Sequence, residues 1–196
     1  MNYPVVFLDR TLEGAPSVSS DGYTGGKLAA QAIIHGKSQR ITLLRGPAHL
    51  PTAQDRFNGA LEILKQAEVE FQVIETASFS IKDAQSMAKE LFAAYPATDG
   101  VIASNDIQAA AVLHEALRRG KNVPEDIQII GYDDIPQSGL LFPPLSTIKQ
   151  SAYDMGREAA KLLLGIIKKQ PLAETAIQMP VTYIGRKTTR KEDYDA

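Results

Sequence analysis

Five short apolar, β-branched runs punctuate the chain: Pro4–Asp9 (PVVFLD), Arg40–Gly46 (RITLLRG), Phe71–Thr76 (FQVIET), Asp99–Ser104 (DGVIAS) and Ile127–Tyr132 (IQIIGY). None alternates cleanly between apolar and polar positions, which fits strands buried on both faces of a parallel sheet. Between them, apolar residues return at helical spacing: Phe57, Leu61 and Leu64, then Met87 and Leu91, then Leu113 and Leu117. Terminal signals frame these helices. Asp21 is a candidate N-cap for a helix through Leu28, Ala29, Ala32 and Ile33 that stops at Gly36. The segment SIKD (Ser80–Asp83) has a capping-box form, and Arg118-Arg119 precede Gly120, which suits a left-handed cap. Strand and helix thus alternate from about Arg40 to Asp134. That order predicts repeated βαβ units and an α/β fold with a doubly wound parallel sheet.

Beyond it, FPPLSTIKQ (Phe142–Gln150) breaks the rhythm and then turns extended. A long amphipathic helix through Met155, Ala159, Leu162, Leu163, Ile166 and Ile167 closes at Lys168, Lys169 and Pro171. A last strand is expected over Ala176–Arg186 (AIQMPVTYIGR). The polar run Lys187–Ala196 (KTTRKEDYDA) is expected to fray.

Bulk properties narrow the function classes. A chain of 196 residues can build one core or two small lobes. Its net charge of -2 carries no electrostatic footprint for nucleic acid, so any contact with DNA would need another segment. The absence of cysteine excludes a disulfide framework and a Cys-ligated metal. The start, MNYPVVFLDR, lacks the basic region, apolar run and cleavage site of a secretory signal, and no apolar stretch approaches membrane-spanning length. A cytoplasmic protein is the simplest expectation.

Open α/β sheets bind ligands beyond the carboxyl ends of their strands. Here those ends carry a consistent set: Asp9-Arg10, then Gly46–Thr52 leading to Arg56, then Phe79, Asn105-Asp106 and Asp133-Asp134. The types suit a polyol. Carboxylates and amides engage neighbouring hydroxyls, a guanidinium donates to sugar oxygens, and an aromatic ring covers a C–H face. Each residue also has a plainer role open to it. Asn105 or Asp106 can cap the next helix, and Asp134 can be a turn residue. Arg56 can be a solvated arginine, and Phe79 can be core. His35, His49 and His114 have no pairing that suggests a metal and are expected at the surface.

The motifs G-x-x-x-x-G-K-[ST], G-x-G-x-x-G after a strand and G-x-S-x-G are absent. DGYTGG (Asp21–Gly26) follows no evident strand and is a weak phosphate candidate. The Asp133-Asp134 pair could hold Mg²⁺, which leaves a Mg²⁺-dependent α/β enzyme as an alternative of a different class.

At this point the residues carry a resemblance. Val123–Leu164 (VPEDIQIIGYDDIPQSGLLFPPLSTIKQSAYDMGREAAKLLL), ASND (Ala103–Asp106), RFNGA (Arg56–Ala60), FLDR (Phe7–Arg10) and SDGYTGGKLAA (Ser20–Ala30) resemble, in order and spacing, the lactose/galactose repressor family. The matches run from Pro4 to about Arg186. One departure is Gly36-Lys37, where the family usually has Gly-His. The resemblance implies a type I periplasmic-binding-protein fold, in which two lobes joined by three crossovers clamp a small effector, usually a sugar, without cofactor, metal or catalysis. It implies ligand contacts at Arg56, Asn105 and Asp133, an aromatic stack at Phe79, and contacts from the other lobe at Asp9 and Gln150. Asp134 is then left to the turn. It implies a homodimer interface at Leu140, Leu141 and Phe142, with Leu141→Asp weakening self-association without unfolding, and contact with DNA only through a headpiece absent here.

By the same resemblance, residues 17–147 plus 172–190 would form a complete second lobe. Residues 1–16 plus 148–171 would be a remnant of the first, and 191–196 a polar tail. The chain then reads as a fragment of a longer repressor or a truncated gene product, its exposed remnant covered by a partner chain or by swapped pieces and its sugar affinity weak. A sugar-binding protein of a transport system shares this fold and is the nearest alternative.

Overall fold

The computed structural model describes residues 3–190; the polar tail expected at 191–196 lies outside the described residues. The elements run in the order β1 (Phe7–Leu8), β2 (Ser17–Ser20), α1 (Gly22–His35), β3 (Arg40–Arg45), α2 (Pro51–Gln66), β4 (Glu70–Glu75), α3 (Ile81–Ala94), β5 (Gly100–Ile102) and α4 (Asp106–Arg118). They continue with β6 (Gln128–Asp133), a 3-10 turn (Pro136–Leu140), β7 (Ser146–Gln150), α5 (Ala152–Ile167), β8 (Ala176–Met179) and β9 (Val181–Ile184).

Six strands form one sheet in the order β4-β3-β5-β6-β7-β9, parallel except where β9 runs against β7. Both faces are covered, as the apolar runs without alternation required. On one face α3 and α4 bury Met87, Leu91, Val112 and Leu113 against Leu44, Val101 and Ile129. On the other, α1 and α2 bury Ala30, Ile33, Ala60 and Leu64 against Ile41, Leu43, Ile102 and Ile130. The sequence caps are the real ones. Asp21 accepts from the Thr24 amide at 3.0 Å, Ser80 from the Asp83 amide at 3.1 Å, and Gly120 adopts φ +74°.

Helices α1 and α2 touch backbone to backbone. A methyl group at Gly26 would overlap the Arg56 carbonyl, and one at Gly59 would overlap the Tyr23 carbonyl. The glycines of DGYTGG are therefore helix-packing residues inside α1, not a phosphate loop, and the segment follows strand β2 directly.

A smaller parallel sheet, β1-β2-β8, stands beside the larger one, with α5 against it. Met155 and Leu162 of α5 pack on Val18, while Leu164 and Ile167 lie 52% and 55% exposed. Strand memberships here differ from the expected division of the chain. Ser17–Ser20 pairs in the smaller sheet; with one aliphatic residue among three serines it gave no strand signal, yet all four residues are buried. The run Ala176–Arg186 is two strands, because Pro180 offers no amide to a ladder and the chain changes sheets there. β7 belongs to the larger sheet. The expected strand Pro4–Asp9 shortens to Phe7–Leu8, an edge strand that pairs with β2.

Over the described residues the chain thus passes between the two sheets three times: from β2 to α1, from β7 to α5, and from β8 to β9. These crossovers lie side by side. Ser20 pairs with Met179, Gln150 with Val181, and the Asp21 amide donates to the Met179 carbonyl at 2.8 Å.

The fraying expected from Lys187 does not occur over the described residues. Thr188 and Thr189 are buried. The Thr188 hydroxyl donates to the Ile129 carbonyl at 2.6 Å, and the Arg190 guanidinium donates to the carbonyls of Gly36, Pro124 and Glu125. A polar segment can be fixed when its side chains satisfy buried main-chain groups, which composition does not reveal.

Candidate functional site

The carboxyl ends of β3, β5 and β6 meet at the three crossovers, and Arg56 lies at their centre. It sits in the second turn of α2, where the contact of Gly26 with its carbonyl fixes the height of that turn. Its side chain is only 8% exposed. The guanidinium lies over the Tyr132 ring, 3.7 Å from the ring centre, and Nη1 donates to the Ser104 carbonyl at 2.9 Å. Three partners surround it: Asp133 Oδ1 at 3.4 Å, Gln150 Oε1 at 3.4 Å and Asp9 Oδ1 at 4.0 Å. The plainer reading of Arg56 as a solvated helix residue is excluded by this burial.

Asp133 ends β6 at φ +113°, and Asp134 follows at φ +55°. Two consecutive non-glycine residues at positive φ are a strained arrangement of the kind that persists where surrounding contacts enforce it. The Asp133 carboxylate accepts from Gln150 Nε2 at 2.8 Å. Burial pushes its pKa up to about 7; the Asp106 and Asp9 carboxylates push the same way, and Arg56 opposes them. Asp134 turns away and pairs with Arg186 at 2.5 Å. The acidic pair is thus split between two arginines. Among the described residues there is no cluster of three or more side chains able to hold a metal ion.

Gln150 joins the crossovers to the site, since its Oε1 also accepts from Ser20 Oγ at 2.8 Å. Asn105 is the N-cap of α4, its Oδ1 accepting from the Gln108 amide at 2.9 Å. That role uses the carbonyl oxygen and not the amide nitrogen, so the cap and a ligand contact are compatible. Phe79 is half-buried above Gly46: a methyl there would meet both the Phe79 ring and Ser104 Oγ at 2.7 Å. The structure therefore gathers Asp133, Gln150 and Asp9 around Arg56, with Asn105 and Phe79 flanking Ser104.

Three buried polar atoms have no hydrogen-bond partner among the described residues: Asp9 Oδ1, Arg56 Nε and Ser104 Oγ. Buried polar atoms are nearly always satisfied, and an orphan requires a reason. Here all three belong to one site, and together they comprise a carboxylate acceptor, a guanidinium donor and a hydroxyl of either kind. That set complements a compact molecule carrying several hydroxyl groups.

Sequence reasoning missed Ser104, Tyr132 and Ser20, and for Asp106, noted at its strand end, it missed the role. Tyr132 read as the last residue of a core strand; its place one residue before Asp133 was the available clue. Asp106 is 1% exposed and accepts from the Ile135 amide at 3.0 Å, from Ser138 Oγ at 2.6 Å and from Thr147 Oγ1 at 2.6 Å. Burial raises its pKa, against those hydrogen bonds. It fastens the start of α4 to the turn after β6 and to β7, and nothing in its local sequence marks that role.

Leu140 and Phe142 are 84% and 91% exposed, whereas Leu141 packs against the core beneath α3 and α4. The substitution Leu141→Asp would therefore disturb the core, and a surface role falls to its two neighbours. His35, His49 and His114 are all exposed. No helix among the described residues is long and apolar enough to cross a membrane.

Residues 30–189 match the periplasmic binding protein-like domain. The chain is 97% identical over 193 residues to the ribose operon repressor of Bacillus subtilis, and 38% identical over 193 residues to that of Lactococcus lactis. In both comparisons the match covers 98% of this chain and 59% of the relative's length. A solved structure of a LacI family transcriptional regulator from Enterococcus faecium with bound ribose superposes with a TM-score of 0.83 at 30% identity, covering 95% of this chain and 70% of that one.

Proposed function

Because the chain belongs to the periplasmic binding protein-like domain family, we propose that it is the effector-binding part of a transcriptional repressor and that its effector is a small neutral sugar, D-ribose or a close pentose. The observation that carries this reading is the convergence of the orphaned Asp9 Oδ1, Arg56 Nε and Ser104 Oγ at one rim. Arg56, Asn105, Asp133 and Ser104 would bind the hydroxyls from the larger sheet, Phe79 would cover a C–H face, and Asp9 and Gln150 would approach from the crossover side. Two carboxylates beside one guanidinium leave the rim without net positive charge, which suits an uncharged sugar better than a phosphorylated one. The ribose operon repressors among the relatives support the regulator over a transport protein and over an enzyme.

The mechanism follows from the crossovers. Gln150 and Ser20 lie on two of them and are bonded to each other beside the ligand groups. A sugar that binds better when the lobes are closed shifts their population, and a DNA-binding segment beyond this chain would read that shift. The larger sheet with its four helices would be one lobe, and the smaller sheet with α5 a part of the other. The chain spans 59% of the length of the relatives it matches, so these assignments concern its own groups. A cytoplasmic setting fits a repressor.

A thermal-shift panel tests the reading: D-ribose should raise the melting temperature, while ribose 5-phosphate and Mg²⁺ alone should not. Stabilisation by Mg²⁺ with no response to any sugar would transfer the case to an enzyme.

A homodimer would form through the exposed Leu140 and Phe142. The double substitution Leu140→Asp, Phe142→Asp should yield monomers in sedimentation velocity at concentrations where the parent chain is dimeric. The melting temperature should stay within ~2 °C, because neither side chain is part of the core. An unchanged mass would remove this interface from the account.

A further inference from the structure

We propose that Arg186 is a positioning residue for the ligand site: through Asp134 it holds the Asp133 carboxylate against Arg56. The inference rests on the reading of Asp133 as a ligand contact. Arg186 lies beyond β9 and outside the rim. Its Nη2 donates to Asp134 Oδ1 at 2.5 Å and its Nη1 to the Leu145 carbonyl at 2.7 Å. Both members of the pair are largely withdrawn from solvent, at 23% and 14% exposure. A guanidinium gripping a carboxylate and a main-chain carbonyl together fixes orientation as well as distance.

The need for such a grip is in the backbone. Asp133 and Asp134 both hold positive φ, which an unconstrained aspartate pair would leave. The far end of the turn is already anchored, because Asp106 accepts from the Ile135 amide and from Ser138 Oγ. Between that anchor and strand β6, the side chain of Asp134 is a free handle on the turn, and Arg186 holds it. Release at Asp134 lets the 133–134 peptide relax and turns the Asp133 carboxylate outward, away from Arg56, Gln150 and the Asp9 and Asp106 carboxylates that surround it.

The test reads Asp133 directly. The carboxyl carbon of Asp133 is followed by NMR against pH, without sugar, in the wild-type chain and in Arg186→Met, Arg186→Gln and Arg186→Lys. In the wild type the midpoint should lie near 7. In Arg186→Met and in Arg186→Gln it should fall by at least ~1 unit toward the ordinary carboxyl range. In Arg186→Lys, which keeps a cation on Asp134, most of that fall should be recovered. The direction is diagnostic, since removing a nearby cation with the carboxylate held in place can only raise the midpoint. Arg186→Gln likewise removes the cation, keeps an amide donor for the Leu145 carbonyl, and gives the reading should Arg186→Met fail to fold. In parallel, D-ribose saturation-transfer signals should weaken in Arg186→Met and return in Arg186→Lys. A midpoint that stays or rises in the first two variants overturns the proposal. A midpoint that falls as expected in a chain that binds no ribose upholds the clamp and sinks the ribose reading instead.

Discussion

Replacing Arg56 with methionine should abolish saturable D-ribose binding and lower the melting temperature by ~5 °C or more. Methionine keeps an apolar body over the Tyr132 ring but removes the cation on which Asp133, Gln150 and Asp9 converge. Removing one member of a buried ion pair costs about 3–5 kcal/mol, because the remaining charge is left uncompensated. For a chain of this size each kcal/mol corresponds to about 2–4 °C. The sign of the pH dependence follows from the same geometry. Arg56 is the group that lowers the Asp133 pKa, so its loss pushes that carboxyl higher still. Below its new midpoint Asp133 takes up a proton and escapes the penalty; above it the charge stands alone. The deficit relative to wild type should therefore be larger at pH 8.5 than at pH 6 in differential scanning fluorimetry. A variant with wild-type stability and undiminished ribose binding would mean that the guanidinium is ornamental.

Asp133→Asn should separate binding from stability. An unfolded aspartate titrates near 4, whereas the folded one titrates at about 7. Between these values the folded chain holds a proton that the unfolded chain has released, so stability falls as pH rises from about 4 through 7. Asparagine carries no such proton. Its stability should be flatter across that window, and at pH 8 its melting temperature should exceed that of the wild type by ~2–4 °C. Ribose binding should weaken by at least ~10-fold, because a charged acceptor for sugar hydroxyls is replaced by a neutral amide. Thermal melts from pH 4 to 8 give the first result and ligand-observed NMR the second. An Asn variant less stable than wild type at pH 8 would show that the carboxylate is welcome in its pocket and that the strain at this strand end serves another purpose.

Much of this site is legible in the sequence, for identifiable reasons. Parallel strands are buried on both faces, so Arg40–Arg45 and Gln128–Asp133 announce themselves by apolar runs, and polar residues at their ends stand out. Asn105 and Asp133 stand at such ends, with Arg56 facing them from α2, and Asp134 pairs with Arg186 away from Arg56, as the turn role expected of it requires. What escaped depends on contacts distant in the chain. Ser17–Ser20 is a strand because two neighbours pair with it, not because serine favours strands. Thr188 is buried because the Ile129 carbonyl needs a donor, and Asp106 because three donors from the 133–138 turn and β7 need an acceptor. Leu141 and Phe142 are adjacent and equally apolar, yet one enters the core and the other does not; only packing distinguishes them.

Saturation-transfer difference NMR with D-ribose reads the sugar pocket around Arg56 without an intermediary. The wild-type chain should give ribose proton signals that saturate with a dissociation constant on the order of 1 mM, weak because the larger-sheet groups supply most of the contacts. The same signals should vanish in Arg56→Met. Ribose signals absent from the wild type, or equally strong in Arg56→Met, would contradict the account.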